Sequence, residues 1–360
     1  MYPLLRPLLF RLDAEQAHSL TLSLLRWAGQ NALVARTLRS LFVLDDPQLA
    51  VEVFGLRFAN RVGLAAGYDK NGVAVRGLAT LGFGHVEVGT VTRLAQVGNP
   101  KPRVHRVVAA QGVINAMGFP NAGVDALLRT LPIQHGIVPL GMKVGINIGK
   151  GKETPIEQAA EDYCALFQQV YTRADYVALN ISSPNTLNLR QLQARAAVEE
   201  LLQAVTALRN RLAPRLPLLV KIAPDMTPAE LDDVLAAIHS TGVDGIIATN
   251  TTIGRNGIPP QFHTLKGGLS GAPLGEQSTA VIAQIARQTG GKLPIIGVGG
   301  IMTPADAIAK LEAGATLVQL YTGLVYSGPG LVRGINQVLT NSNLRHGSLE
   351  AGIRLTVRHE

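Results

Sequence analysis

The feature that most limits the fold is a rhythm of eight short apolar runs, each closing on glycine or polar residues. The runs are Val62 to Gly67, Val86 to Thr90, Val144 to Gly149, Val177 to Ser182, Leu218 to Pro224, Gly245 to Thr251, Ile295 to Gly300 and Leu317 to Gly323. Runs this short read as buried strands. Most are separated by stretches of helical spacing: Val73–Leu81, Pro155–Thr172, Ala196–Leu212, Pro228–Thr241, Glu276–Thr289 and Pro304–Ala313. Eight βα units with parallel, doubly covered strands predict an α/β fold, a closed (β/α)8 TIM-type barrel. The strand count disfavours an open doubly wound sheet. With 360 residues, 47% of them hydrophobic, the chain is large enough for such a barrel as one domain.

Two connections are too long for simple helices: Thr92 to Ile137, with a small hairpin at Val104–Val108 and Val113–Asn115, and the glycine-rich Thr252 to Leu274. Long loops on this architecture serve the site. The single cysteine, Cys164, rules out an internal disulfide or a cysteine metal cluster and reads as a small core residue of a helix. The net charge of +8 is spread through the chain without a basic block interleaved with aromatics, so nucleic acid is not expected as a partner; an anionic membrane surface is the other reading.

Residues 1–45 differ from the rest. Leu4, Leu5, Leu8, Leu9 and Leu12 recur at helical spacing, and Asp13 with Gln16 begins a second helix. In that helix Leu20, Leu24 and Trp27 form one stripe, and His18, Leu22 and Leu25 an adjacent one. The spacing predicts a helical hairpin extension whose apolar face is wide. Such a face belongs to a hairpin that packs on the main domain, or to one that also dips into a membrane surface. No stretch approaches the ~20 apolar residues of a membrane span. Residues 46–345 are assigned to the barrel and 346–360 to a C-terminal tail.

In a barrel the site lies at the C-terminal ends of the strands. Those ends carry Ala66-Gly67-Tyr68-Asp69-Lys70, Thr90, Asn147, Asn180 to Asn185, Lys221, Thr249-Asn250-Thr251, Gly299-Gly300 and Tyr321-Thr322-Gly323. No histidine, cysteine or carboxylate set suited to a metal or to a supported nucleophile is among them. The glycines after the seventh and eighth strands suit a phosphate, with a helix N-terminus near Thr303-Pro304 adding its dipole. Lys70 and Lys221 are costly to bury unless each meets an anion. The amides of Asn147, Asn180, Asn185 and Asn250 suit flat heterocycles with imide edges, such as a flavin and a pyrimidine.

The segments A-A-G-Y-D-K, E-V-G-T, N-A-M-G-F, G-I-N-I-G-K, N-I-S-S-P-N-T, K-I-A-P-D, N-T-T, G-G-L-S-G, G-V-G-G-I and Y-T-G occur in that order. Together they closely resemble the dihydroorotate dehydrogenases of the quinone-linked, membrane-associated class, over roughly residues 50–335. The resemblance implies oxidation of (S)-dihydroorotate to orotate in de novo pyrimidine biosynthesis. It implies FMN held by Ala66, Gly67, Tyr68, Asp69, Lys70, Thr90, Asn147, Asn180, Lys221, Thr249, Gly271, Gly300, Tyr321 and Thr322. Dihydroorotate would be held by Lys70, Asn115, Ala116, Met117, Gly118, Phe119, Asn180, Asn185, Asn250 and Thr251. Ser183 matches the catalytic base, where relatives using fumarate or NAD carry cysteine. His18, Arg106 and Tyr321 match the quinone passage. The resemblance tips residues 1–45 towards a membrane-dipping quinone entrance. It implies a peripheral protein at the cytoplasmic face of the inner membrane, with no metal and no obligate protein partner. A soluble relative using fumarate or NAD is the alternative, disfavoured by Ser183 and the apolar N-terminus. A non-catalytic membrane-bound barrel is disfavoured by the intact Ser183, Lys70 and Lys221.

Overall fold

The computed structural model describes residues 2–131, 141–186 and 189–341. The C-terminal tail proposed at 346–360 lies outside the described residues. In chain order, helices α1 (Tyr2–Arg11), α2 (Ala14–Gln30) and α3 (Ala32–Phe42) precede a hairpin of β1 (Val51–Val53) and β2 (Leu56–Phe58). Then come β3 (Val62–Leu64), α4 (Val75–Ala79), β4 (His85–Val91), β5 (Val104–Val107), β6 (Gly112–Asn115), α5 (Val124–Thr130), β7 (Lys143–Ile148) and α6 (Ala159–Val170). They are followed by β8 (Tyr176–Asn180), α7 (Arg195–Leu212), β9 (Leu218–Ile222), α8 (Pro228–Thr241), β10 (Gly245–Ala248), β11 (Gly268–Gly271) and α9 (Gly275–Gln288). The chain continues through β12 (Ile295–Val298), α10 (Pro304–Glu312), β13 (Leu317–Leu320), α11 (Thr322–Ser327) and α12 (Gly330–Asn341).

The strands β3, β4, β7, β8, β9, β10, β12 and β13 close a parallel barrel in that order, so each of the eight apolar runs supplies one stave. Alternate residues point inward. Ala65, Ala178, Leu219, Ile247, Ile296 and Leu317 fill the interior with Tyr176, while their neighbours pack outward against the helices. Two large rings lie beside a glycine on the neighbouring stave: an added Cβ at Gly63 would lie 2.1 Å from the His85 ring, and one at Gly145 would lie 2.1 Å from Tyr176. The hairpin around Phe54-Gly55 has positive φ at both turn residues, 57° and 71°, the geometry of a tight two-residue turn. It closes the base of the barrel, with Phe58 edge-on to His85 at 5.5 Å.

Two expectations change. The small hairpin β5–β6 gains a third strand, β11, from the glycine-rich connection Thr252 to Leu274, where no strand was expected. The N-terminal segment is three helices rather than a hairpin. Asn31 interrupts the chain, and its side-chain oxygen accepts from Val34 N–H, capping α3. The extension docks through α2 on α4, where an added Cβ at Gly77 would lie 1.9 Å from the Leu25 carbonyl. Leu22 and Leu25 pack on the main core.

Candidate functional site

A continuous cavity of about 770 Å³ opens at the C-terminal rim of the barrel and runs on between β5, β6 and helices α1 to α3. A volume in this range holds a ligand of cofactor size. At its barrel end a ladder of amides and hydroxyls links the staves. Asn250 Nδ2 donates to Asn180 Oδ1 (3.3 Å) and Ser182 Oγ (3.0 Å), and Asn180 Nδ2 donates to Thr90 Oγ1 (2.9 Å). Thr90 Oγ1 donates to Asn147 Oδ1 (2.5 Å), and Asn147 Nδ2 donates to Glu87 Oε1 (2.8 Å). Each amide is thereby fixed in orientation, which leaves its exposed edge preorganised for a partner.

Glu87 is the residue that the sequence reading missed. It is buried inside the barrel, where its other oxygen accepts from Gln319 Nε2 (3.0 Å) and Tyr176 OH (3.3 Å). Lys221 Nζ lies 4.0 Å from Glu87 Oε1, with both side chains buried. Desolvation lowers the Lys221 pKa, and the Glu87 carboxylate opposes that shift. Lys70 lines the cavity nearby, and its ammonium donates to the Gly67 carbonyl at 2.6 Å. Desolvation brings it down to about 8, with Glu15 pulling up and Arg103 pushing down.

Ser183 follows β8, is 5% exposed and faces the cavity. Its Oγ accepts from the Asn185 N–H at 3.2 Å. Asn185 Nδ2 in turn donates to the Asn115 carbonyl (3.0 Å), tying the β8 rim to the small sheet. Met117, Gly118, Phe119, Thr249 and Thr251 complete the same wall.

Beyond β12 and β13 the wall is backbone. Gly271 and Gly300 have φ of +95° and +73°. An added Cβ at Gly300 would lie 2.1 Å from Gly275 Cα, so only glycine fits. The N–H groups of Gly299, Gly300, Ile301, Thr322 and Gly323 have no protein acceptor among the described residues, and clustered donors of this kind suit a phosphate. The helix N-terminus expected to join them does not. Thr303 caps α10, and the Asp306 carboxylate accepts from the N–H of Met302 (2.9 Å) and Thr303 (2.8 Å), closing that end.

The far arm of the cavity is aromatic and apolar. Tyr321, Tyr68 and His18 form an edge-to-face series with centroids 5.8 and 5.0 Å apart. Desolvation and the nearby Lys70 bring the His18 imidazole down to about 3, so it is neutral. Arg106 Nη1 donates to the Leu12 carbonyl at 2.8 Å, and its guanidinium lies over Phe10 at 4.7 Å. Around this mouth Leu4, Leu5 and Leu8 of α1 are 80%, 54% and 58% exposed, and Leu20, Leu24 and Trp27 of α2 are exposed as well. Among the described residues no helix is long and apolar enough to cross a membrane.

Of the site residues expected from the sequence, Asp69, Asn147 and Ala116 do not line the cavity. Asp69 instead accepts from the N–H of Val73 (2.9 Å) and Ala74 (2.7 Å), holding the loop that presents Lys70. Asn147 stands one layer back, between Thr90 and Glu87.

A profile of the dihydroorotate dehydrogenase family matches residues 48–342. Named relatives include the dihydroorotate dehydrogenase (quinone) of a Roseiflexus species, 47% identical with 99% of each chain covered. That of Acidithiobacillus ferrooxidans is 50% identical, with 96% of each chain covered. Among solved structures, a ligand-free DHODH from Eimeria tenella superposes with a TM-score of 0.84 at 36% identity, covering 96% of this chain and all (100%) of the other. A DHODH from the same organism in complex with ferulenol gives 0.80 at 37% identity, covering 91% of each.

Proposed function

This chain belongs to the dihydroorotate dehydrogenase family, and on that premise we propose how its cavity works. The protein oxidises (S)-dihydroorotate to orotate in de novo pyrimidine biosynthesis and passes the electrons to a membrane quinone. The family is flavin-dependent, and FMN fits the residues present. The unpartnered N–H groups around Gly300 and Thr322 suit its phosphate. The preoriented amides of Asn180 and Asn250 suit its ring edges. Lys221, whose ammonium lies 4.0 Å from Glu87 Oε1, offers a cation to the electron-rich edge. Ala66 to Lys70, Thr249, Gly271 and Tyr321 complete the set, with Asp69 and Asn147 acting from behind the wall.

FMN held there would supply the acceptor for the hydride that leaves ring carbon six. The chain supplies the rest. Ser183 takes the proton from ring carbon five, so the carbon–carbon double bond forms as both hydrogens leave. A serine is a weak base at its free pKa; burial disfavours its ionised form, and the positive charge of Lys70, which lines the same cavity, opposes that penalty. Lys70 meets the substrate carboxylate. Asn115, Asn185 and Asn250, with Thr251 and the Met117 to Phe119 turn, meet the imide edges and hold the ring against Ser183.

Residues 1–45 form the quinone entrance, and residues 46–345 the catalytic barrel. His18, Arg106 and Tyr321 border the passage. The exposed leucines enter the lipid surface at the cytoplasmic face of the inner membrane, where Arg11, Arg26 and Arg36 meet anionic headgroups. The observation that carries this reading is the continuity of the cavity from Ser183 to the leucines of α1 and α2.

An absorbance experiment tests it. The purified protein should be yellow, bleach with dihydroorotate, and recover its colour with a quinone in liposomes. Recovery with fumarate or NAD but not with quinone would overturn the reading.

A further inference from the structure

Lys310 is a buried cation that the reaction above does not use. It lies on α10 and is 1% exposed. Its ammonium donates to Ser278 Oγ (3.0 Å), Thr279 Oγ1 (3.0 Å) and the Gly275 carbonyl (3.5 Å). All three acceptors are neutral, and among the described residues no carboxylate pairs with it. Asp306, the acid that bears on it electrostatically, is committed to capping α10. Burial brings the ammonium down to about 8.

The placement is unfavourable in two ways. A buried ion without a counter-ion is costly. Its acceptors also belong to the first turn of α9, the positive end of that helix. A nearby anion would offset both. The residues that hold the ammonium also back the glycine cradle: an added Cβ at Gly299 would lie 3.1 Å from Ser278 Oγ, and one at Gly300 would lie 2.4 Å from Gly275 N. Among the described residues, no basic side chain is hydrogen-bonded or ion-paired to the cradle glycines themselves. The other basic side chains reaching the cavity are held elsewhere, Lys221 beside Glu87, Lys70 on the Gly67 carbonyl and Arg106 on the Leu12 carbonyl.

We propose that Lys310 is the hidden counter-cation of a phosphate seated in the Gly299–Gly300 cradle, a positioning residue acting through the first turn of α9 rather than by contact. It rests on the FMN reading above, in which that phosphate is the cofactor's.

The test compares two flavins that differ only in phosphate. Flavin release on dilution, followed by fluorescence, gives Kd for FMN-loaded protein and for protein exchanged into excess riboflavin. Lys310→Met should weaken FMN by about ten- to a hundredfold, the scale of one partly shielded charge interaction. It should leave riboflavin within about twofold. Lys310→Gln, which keeps donors for Ser278 and Thr279 but no charge, should show the same selective loss and guards against misfolding of the methionine variant. Equal losses for both flavins would make Lys310 a structural residue and overturn the proposal, as would no loss for either. Wild-type protein that held riboflavin as tightly as FMN would instead remove the phosphate site itself, and the FMN reading with it.

Discussion

Replacing Glu87 with glutamine and Lys221 with methionine, singly and together, isolates the ion pair inside the barrel. The two charges lie 4.0 Å apart and both side chains are buried. At an effective dielectric near 20 their attraction is about 4 kcal/mol. Glu87→Gln leaves the Lys221 ammonium without its counter-ion. It also puts an N–H₂ group where Asn147 Nδ2 or Gln319 Nε2 now donates, at 2.8 and 3.0 Å. One orphaned donor costs about 1–3 kcal/mol, and the stranded charge brings the total to about 3–5 kcal/mol. Lys221→Met strands the carboxylate instead, at a similar cost. The double variant carries neither charge and keeps only the amide mismatch. It should therefore be less destabilised than the sum of the singles by about 2–4 kcal/mol. Urea unfolding at saturating FMN reads this out, once the binding contribution set by each variant's measured Kd is subtracted. Additive losses, agreeing within about 0.5 kcal/mol, would mean that Glu87 and Lys221 are held by separate contacts and that the barrel has no internal ion pair of consequence.

Other outcomes follow from the same geometry. Ser183→Ala should retain FMN and dihydroorotate yet slow flavin reduction by about 10²–10⁴; near-normal reduction in stopped flow would assign the base elsewhere. Because burial holds Lys70 near 8, its charge is present below that pH and lost as pH rises through it. The KM for the anionic substrate should therefore be steady at neutral pH and climb in alkali, and a flat wild-type profile across that range would contradict the role. Leu4→Ser, Leu8→Ser and Leu20→Ser together should abolish binding to anionic liposomes and slow turnover with long-chain quinone, while reduction by dihydroorotate stays unchanged; unaltered liposome binding would sink the membrane-surface reading.

The barrel was legible because its staves are apolar on both faces and break off in amides, hydroxyls or glycine, so strand and rim are written in different residue types. Glu87 was not, since between Val86 and Val88 it looks like the solvent-facing member of an alternating strand. In a closed barrel the second face is the interior, and only closure reveals that Asn147, Gln319, Tyr176 and Lys221 converge on it. The strand β11, Gly268–Gly271, has no β-branched residue to announce it; it exists because β6 offers it a partner. The α10 terminus was misread although its signal was present. Thr303 and Asp306 stand at capping-box spacing, and a carboxylate in that position competes with any phosphate for the same N–H groups.

The N-terminal helices show how a question that periodicity leaves open can be ill-posed. The spacing gave two adjacent stripes but not which of them docks and which faces outward. The structure divides the two roles between them. Gly29 and Gly77 let α2 approach α4 until an added Cβ at Gly29 would sit 2.4 Å from Gly77 N, so Leu22 and Leu25 are spent on docking. A helix that docks this tightly is fixed in rotation. The stripe of Leu20, Leu24 and Trp27 must then face away, 43%, 53% and 55% exposed, and the cavity mouth is held open between it and α1. Glycines that would count only as helix weakeners in the sequence therefore aim the apolar face. A bulkier residue at Gly77 should disturb quinone access before it disturbs the barrel.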